Sequence, residues 1–159
     1  MGTATSHLLP AESLRMFQDI LNSGLSLRLK ATGRSMMPFL TGGEILTIKK
    51  VSSASLKKGD LLFFRNSHGR PILHRIVRKE RVGNLFIFQT KGDALREFDE
   101  PVLDSCVLGK ACKIEKTYVE YAGQINLESF FWLTINYLAA MKSLMGSKAR
   151  FAVLKLLGR

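Results

Sequence analysis

The sequence predicts a mainly β fold, an antiparallel barrel-like or sandwich sheet, with an amphipathic helix before it and a helical tail after it. Three observations carry this expectation. Between Ser26 and Lys116 the chain breaks into short runs rich in β-forming residues. Turn chemistry separates the runs at regular spacing, and no helical crossovers lie between them, which argues against a doubly wound α/β fold. The last 36 residues change character, with a nearly continuous apolar stretch in a helical pattern followed by spaced basic residues. The expected divisions are residues 1–25 for the N-terminal helix, 26–118 for the β-rich core and 119–159 for the tail.

Pro10 to Asn22 reads as the first helix. Proline suits a first turn, Leu14, Phe17, Ile20 and Leu21 form an apolar stripe, and Gly24 suits the stop. Candidate strands follow at Ser26–Ala31, Ile45–Val51, Leu61–Arg65, Ile72–Val77, Leu85–Thr90 and Val107–Ile114. The punctuation between them is Thr41-Gly42-Gly43, Lys58-Gly59-Asp60, Asn66-Ser67-His68-Gly69, Gly83-Asn84 and Gly92-Asp93. The chain contains no internal repeat and no low-complexity tract.

A hydrophobic content of 46% supports a proper core, and 159 residues suit one compact domain. The formal charge of +11 favours an anionic partner, whether nucleic acid, anionic lipid or acidic peptide, against the plainer reading of a solvated basic surface. Cys106 and Cys112 are too few for a disulfide scaffold, lack metal-ligand spacing and read as buried thiols. No cofactor or metal is suggested. Ser6-His7-Leu8-Leu9 is too short for a signal peptide, so the expected compartment is the cytoplasm.

In the tail, Phe130 to Met141 is apolar and helical in pattern, but short of the roughly 20 residues of a spanning helix. Lys142, Lys148, Arg150, Lys155 and Arg159 then alternate with apolar residues, opposed after residue 123 by Glu128 alone. A basic, apolar helix opening on aromatic residues fits an anionic membrane surface at the inner face, contacted through residues 124–159. The competing reading packs the helix on the sheet. An integral span requires the stretch to run through Leu144 and Met145, with Lys142 inside it.

One constellation suggests chemistry. Arg34-Ser35-Met36-Met37-Pro38 holds a serine in a turn, His74 lies in the alternating run Pro71 to Val77, and Gly92-Asp93-Ala94-Leu95-Arg96-Glu97-Phe98-Asp99 supplies acids. A serine hydroxyl is a poor nucleophile without a base within hydrogen-bond reach, and histidine oriented by a carboxylate is such a base. Each residue also has a plainer reading. His74 shares a strand face with Ile72 and Ile76 and reads as a core histidine, Asp93 as a turn residue and Asp99 as a loop acid. His7 and His68 compete weakly, lying near the terminus and at a hairpin tip.

The ordered set Gly33-x-Ser35-Met36-x-Pro38, Lys58-Gly59-Asp60-Leu61-Leu62-Phe63-Phe64, Leu73-His74-Arg75-Ile76-Val77 and Thr90-Lys91-Gly92-Asp93 resembles the type I signal peptidases over residues 30 to 115. The histidine segment resembles the branch found in the endoplasmic reticulum, archaea and some bacteria; most bacterial members carry lysine there. The resemblance implies a β-rich peptidase core, Ser35 as nucleophile and His74 as general base. That branch's acidic box reads Gly-Asp-Asn-Asn-x-x-Asp-Asp. Gly92 and Asp93 match its first two positions and Asp99 its last, which makes Asp99 the preferred partner of His74 and Asp93 a supporting acid. Ala94, Leu95 and Phe98 depart from the box.

The resemblance further implies a peptide or preprotein substrate and an apolar anchor just ahead of the serine box. That place holds the amphipathic helix ending near Asn22. A core on the cytosolic side that trims a leader from a small peptide is therefore expected. Three alternatives stand beside it. A self-cleaving repressor-type peptidase carries lysine at the His74 position and a DNA-binding module upstream, for which about 30 residues leave no room. A catalytically inactive relative acting as a scaffold is the second. The third is a basic β-barrel holding nucleic acid, drawing on ten Lys or Arg in residues 49–81 and on Phe63, Phe64, Phe86 and Phe88 as stacking rings, an unlikely partner because such pairs usually fill cores.

Overall fold

The computed structural model describes residues 10–117 and 122–145. Helix α1 (Pro10–Asn22) spans the expected residues. It stops in a Schellman arrangement, with Leu25 N–H bonded to Ile20 O and Gly24 N–H to Leu21 O, which requires the positive φ of 80° at Gly24. Its apolar stripe seals one end of the sheet, with Leu14 and Leu21 buried in the core and Phe17 against Phe63.

Eight strands form one antiparallel sheet curled into a half-barrel. They are β1 (Leu27–Lys30), β2 (Ile45–Lys49), β3 (Leu61–Arg65), β4 (Pro71–Val82), β5 (Leu85–Lys91), β6 (Val102–Leu103), β7 (Val107–Thr117) and β8 (Ala122–Asn126), in the order β1-β2-β7-β3-β4-β5-β6, with β8 also on β7. The mainly β, antiparallel architecture with helices at either end is the one expected. Neither β6 nor β8 is signalled by the sequence: one has two residues, and the other, Ala-Gly-Gln-Ile-Asn, lacks a β-forming alternation. Strand β4 runs five residues past Val77 before turning at Gly83-Asn84 into β5.

The run Leu61-Leu62-Phe63-Phe64 is apolar throughout because β3 is covered on both faces. Leu61 and Phe63 join the cluster under α1, and Leu62 and Phe64 join a second cluster with Leu56, Ile76, Phe88 and Val102. Phe63, Phe64 and Phe88 are therefore core residues, and Phe86 lies beneath the Lys79 ammonium at 4.4 Å. These are the rings that a nucleic-acid reading needed on the surface.

Helix α2 (Phe130–Met145) packs one face on β4, burying Asn136 and Ala140. Its other face is apolar and open, with Phe130 87% and Phe131 65% exposed alongside Tyr137 and Leu138. The helix thus packs on the sheet by one side, as the competing reading expected, while the apolar residues of its other side stay exposed. Its 16 residues reach about 24 Å, short of a hydrocarbon core of roughly 30 Å. The integral option through this helix is not supported: among the described residues no helix is long and apolar enough to cross a membrane. His7, the Ser6–Leu9 stretch and the basic positions Lys148, Arg150, Lys155 and Arg159 lie outside the described residues.

The turn between β1 and β2 anchors the chain on both sides of the serine box. Glu44 is buried, and its carboxylate accepts from Thr41 N–H and Oγ1–H at 2.8 and 2.9 Å and from Gly42 N–H at 2.8 Å. The same turn holds both backbone groups of Ala31, whose N–H donates to Glu44 O and whose carbonyl accepts from Gly43 N–H. Burial acts to raise the Glu44 pKa, but the hydrogen bonds from Thr41, from its own backbone and from Gly42 outweigh it and hold the pKa below the ordinary 4.5. A depressed carboxylate pKa contributes stability above the unfolded value and loses it as pH falls through the folded one. Glu44→Gln is therefore expected to cost about 1–2 kcal/mol at neutral pH. Urea unfolding of both proteins should show this difference shrinking as the pH falls below 4.5; a difference independent of pH would contradict it.

Candidate active site

Ser35 sits in the tight turn that follows β1. Met37 N–H bonds to Arg34 O at 3.1 Å and Leu40 N–H to Met36 O at 2.9 Å. Met36 and Leu40 are buried in the core and pin the turn from below, leaving Ser35 at the surface edge of the sheet. Met36 therefore fills core. The Met37–Pro38 peptide bond is cis.

His74 lies on β4 opposite Leu62 and is 5% exposed. Its Nε2 is 3.0 Å from Ser35 Oγ and its Nδ1 is 2.7 Å from Asp99 Oδ2. An ionised carboxylate only accepts, so the proton of the neutral imidazole belongs on Nδ1, and Nε2 presents its lone pair to the serine hydroxyl. The face shared with Ile72 and Ile76 is indeed apolar, and the Phe64 ring stands edge-on to the imidazole at 6.4 Å. The histidine is buried, as the plain core reading expects, and is also bonded at each ring nitrogen.

Asp99 is held by groups to which the sequence assigned no role. Thr90 Oγ1 donates to Asp99 Oδ2 at 2.7 Å, Asp99 N–H donates to Thr90 O at 3.0 Å, and Gln89 Nε2 donates to Asp99 O. Thr90 is fully buried and Gln89 nearly so. The one available signal was their position at the polar end of an otherwise apolar strand. Asp93, expected as a supporting acid to His74, has its hydrogen bonds elsewhere: Oδ1 accepts from Arg75 Nε at 2.8 Å and Oδ2 from Arg75 Nη2 at 2.7 Å. The two acids are thus divided, Asp99 to the histidine and Asp93 to the arginine beside it. The reason is the alternation of β4, which sends adjacent side chains to opposite faces.

The acidic loop is fastened directly to the serine turn. Ala94 N–H donates to Ser35 O at 2.9 Å, and a Cβ added at Gly92 would fall 2.6 Å from the same oxygen. Only glycine allows this approach. Beside Ser35 and His74 opens a cleft of about 360 Å³, walled by Phe17 of α1, Leu29 and Ala31 around β1, Met36, Phe63 and Leu73. Strand β1 stands at the end of the strand order, leaving one hydrogen-bonding edge open along this cleft. Among the described residues no three His, Cys, Asp or Glu side chains gather in a metal-binding group.

The arrangement can activate a hydroxyl for attack on a carbonyl, and a comparison with known proteins leads in the same direction. Over 86 residues the chain is 33% identical to Signal peptidase I W of Bacillus subtilis (strain 168). The match takes in 53% of this chain and 45% of that protein, so the chain spans about half the length of the curated relative. No family model matches, and no solved structure matches. The sequence is, over half its length, similar to that of a signal peptidase.

Proposed function

We propose that the chain is a serine endopeptidase of the signal-peptidase kind, cleaving a signal or leader segment from a peptide or protein. The observation that carries this reading is the unbroken hydrogen-bond series Ser35 Oγ, His74 and Asp99, at 3.0 and 2.7 Å beside an open cleft. His74 Nε2 takes the hydroxyl proton as Ser35 Oγ attacks the scissile carbonyl. Asp99 stabilises the imidazolium that forms, and Thr90 keeps the carboxylate turned toward it. The protonated imidazole then passes its proton to the leaving amine. Water, activated by the same nitrogen, releases the acyl group from Ser35. The developing oxyanion needs a fixed donor, and the backbone N–H of Ser35 bonds to no partner among the described residues. Such a donor contributes on the order of 3 kcal/mol.

The open edge of β1 would pair with an extended substrate, whose side chains then drop alternately into the apolar cleft. Anionic membrane surface is the second partner we propose, met by the outer face of α2, which gives the enzyme a cytoplasmic, peripheral location at the inner face. Two exposed adjacent phenylalanines, Lys142 in the last turn and a chain charge of +11 support that reading.

Both parts are testable. In a leader-peptide panel read by mass spectrometry, wild type is expected to cleave at one bond, with Ser35→Ala and His74→Ala slower by a factor on the order of 10³ or more. Asp99→Asn, which keeps the shape and loses the charge, is expected to fall by about 10²–10⁴. Equal cleavage by wild type and Ser35→Ala would remove the peptidase reading. In flotation with vesicles of anionic and of zwitterionic lipid, wild type should rise with the anionic vesicles and a Phe130→Ser, Phe131→Ser protein should stay behind. If the two proteins float alike, α2 does not meet the membrane.

A further inference from the structure

Helix α2 lies outside the sheet that carries His74, yet it meets residues neighbouring the Ser35, His74 and Asp99 series from behind at three points. Asn136, 4% exposed in the middle of an apolar helix, accepts on Oδ1 from Arg75 Nη1 at 2.7 Å. The same Nη1 reaches Gly59 O at 3.1 Å. Gly59, with φ +99°, lies flat against the helix, where a Cβ would fall 2.8 Å from the Asn136 carbonyl carbon and the Tyr137 nitrogen. Further along, the Trp132 ring meets Phe39 edge-on at 5.9 Å, and the Phe39 ring sits 4.8 Å from the Arg75 guanidinium. Phe39 closes the serine turn, and Arg75 follows His74 on β4.

A helix that only needed covering would be served by leucine at position 136. An asparagine in a helix interior lowers helix propensity and must be desolvated, and it is retained where its bond is used. Arg75 is fully buried, and a buried guanidinium tolerates its position only while its donors are met. Two donors go to Asp93, which belongs to the loop that ends in Asp99. The remaining nitrogen used, Nη1, is held by Asn136 and Gly59.

We infer that α2 belongs to the catalytic unit and that Asn136 is a positioning residue: it holds Arg75, and through Arg75 the His74 strand, the acidic loop and the serine turn, in the register at which Ser35, His74 and Asp99 meet. Loss of the Asn136 acceptor leaves one Nη1 N–H unpaired in a dry site, while Gly59 O still accepts from the other. The guanidinium then shifts with its Asp93 partner, and displacement of the order of 1 Å at His74 or Asp99 is enough to slow chemistry about a hundredfold. Substrate binding along β1 and the cleft, on the other side of the serine turn, is left in place.

The inference rests on the peptidase reading, and the experiment separates the two. On a leader peptide whose cleavage depends on Ser35, the full-length Asn136→Ala protein is expected to lose kcat by about tenfold to a hundredfold. Its KM should stay within about twofold of wild type. Asn136→Asp keeps an acceptor for Arg75 and should recover most of the loss. Leu56→Val, a core change outside this network, should lower the melting temperature without lowering kcat. Trp132→Leu reads the same path through Phe39, should also lower kcat, and serves if Asn136→Ala does not fold. Independently of any substrate, the downfield proton signal of His74 Nδ1–H, assigned by its absence in His74→Ala, should be sharp in Ser35→Ala and lost or broadened in Asn136→Ala. A peptide panel without Ser35-dependent cleavage overturns the peptidase reading while the proton signal still decides the positioning role. Wild-type kcat and an unchanged signal in Asn136→Ala, or an equal loss of kcat in Leu56→Val, would overturn the inference.

Discussion

The structure turns on two adjacent residues of β4. His74 and Arg75 are both buried, and because a strand alternates they face opposite sides of the sheet. A buried guanidinium cannot lose its proton and demands an acid, and the buried imidazole beside it is bonded to one as well. The loop after β5 supplies both, Asp99 on one side and Asp93 on the other. Pairs of this kind add little net stability, since desolvation offsets attraction. A slip of one residue between β4 and β5 would bring each side chain to the wrong acid.

From that pairing the neighbouring elements take their places. The acidic loop must start close to the serine turn, so Gly92 lies against Ser35 O and Ala94 bonds to it. Thr90 and Gln89 must be buried and polar at the end of β5, since Asp99 folds back over them. The turn leading into β3 must approach α2 at Gly59, because Arg75 reaches through to the helix there.

Much of this was legible in the sequence where one physical signal dominated. Helix α1 was marked by a proline at its start, a glycine after its end and a regular apolar stripe. The principal strands were marked by β-forming runs between glycine-bearing turns. Strand β6 and strand β8 escaped because pairing with neighbours, rather than their own residues, makes them strands. In the site, Ser35, His74 and the two acids could be named from residue type and order. Which acid meets the imidazole depends on strand register and loop path; family likeness favoured Asp99, while spacing alone left Asp93 open. Arg75 and Thr90 stood inside the motifs of the resemblance with no role assigned to them, and Asn136 carried no local signal of its own. Asn136 is one polar residue in an apolar run, and its use becomes visible only when β4 is laid against it.

The serine turn is the place where these constraints meet, and its two sides have different tasks. Behind it are Phe39, Arg75 and the inner face of α2, packed and hydrogen-bonded. In front are the open edge of β1 and an apolar cleft bounded by Phe17 of α1. A nucleophile works best when its own position is over-determined and its approach is free, since ordering it during reaction would add to the barrier. On the peptidase reading proposed above, rigidity from α2 and access along β1 would meet that requirement from opposite directions.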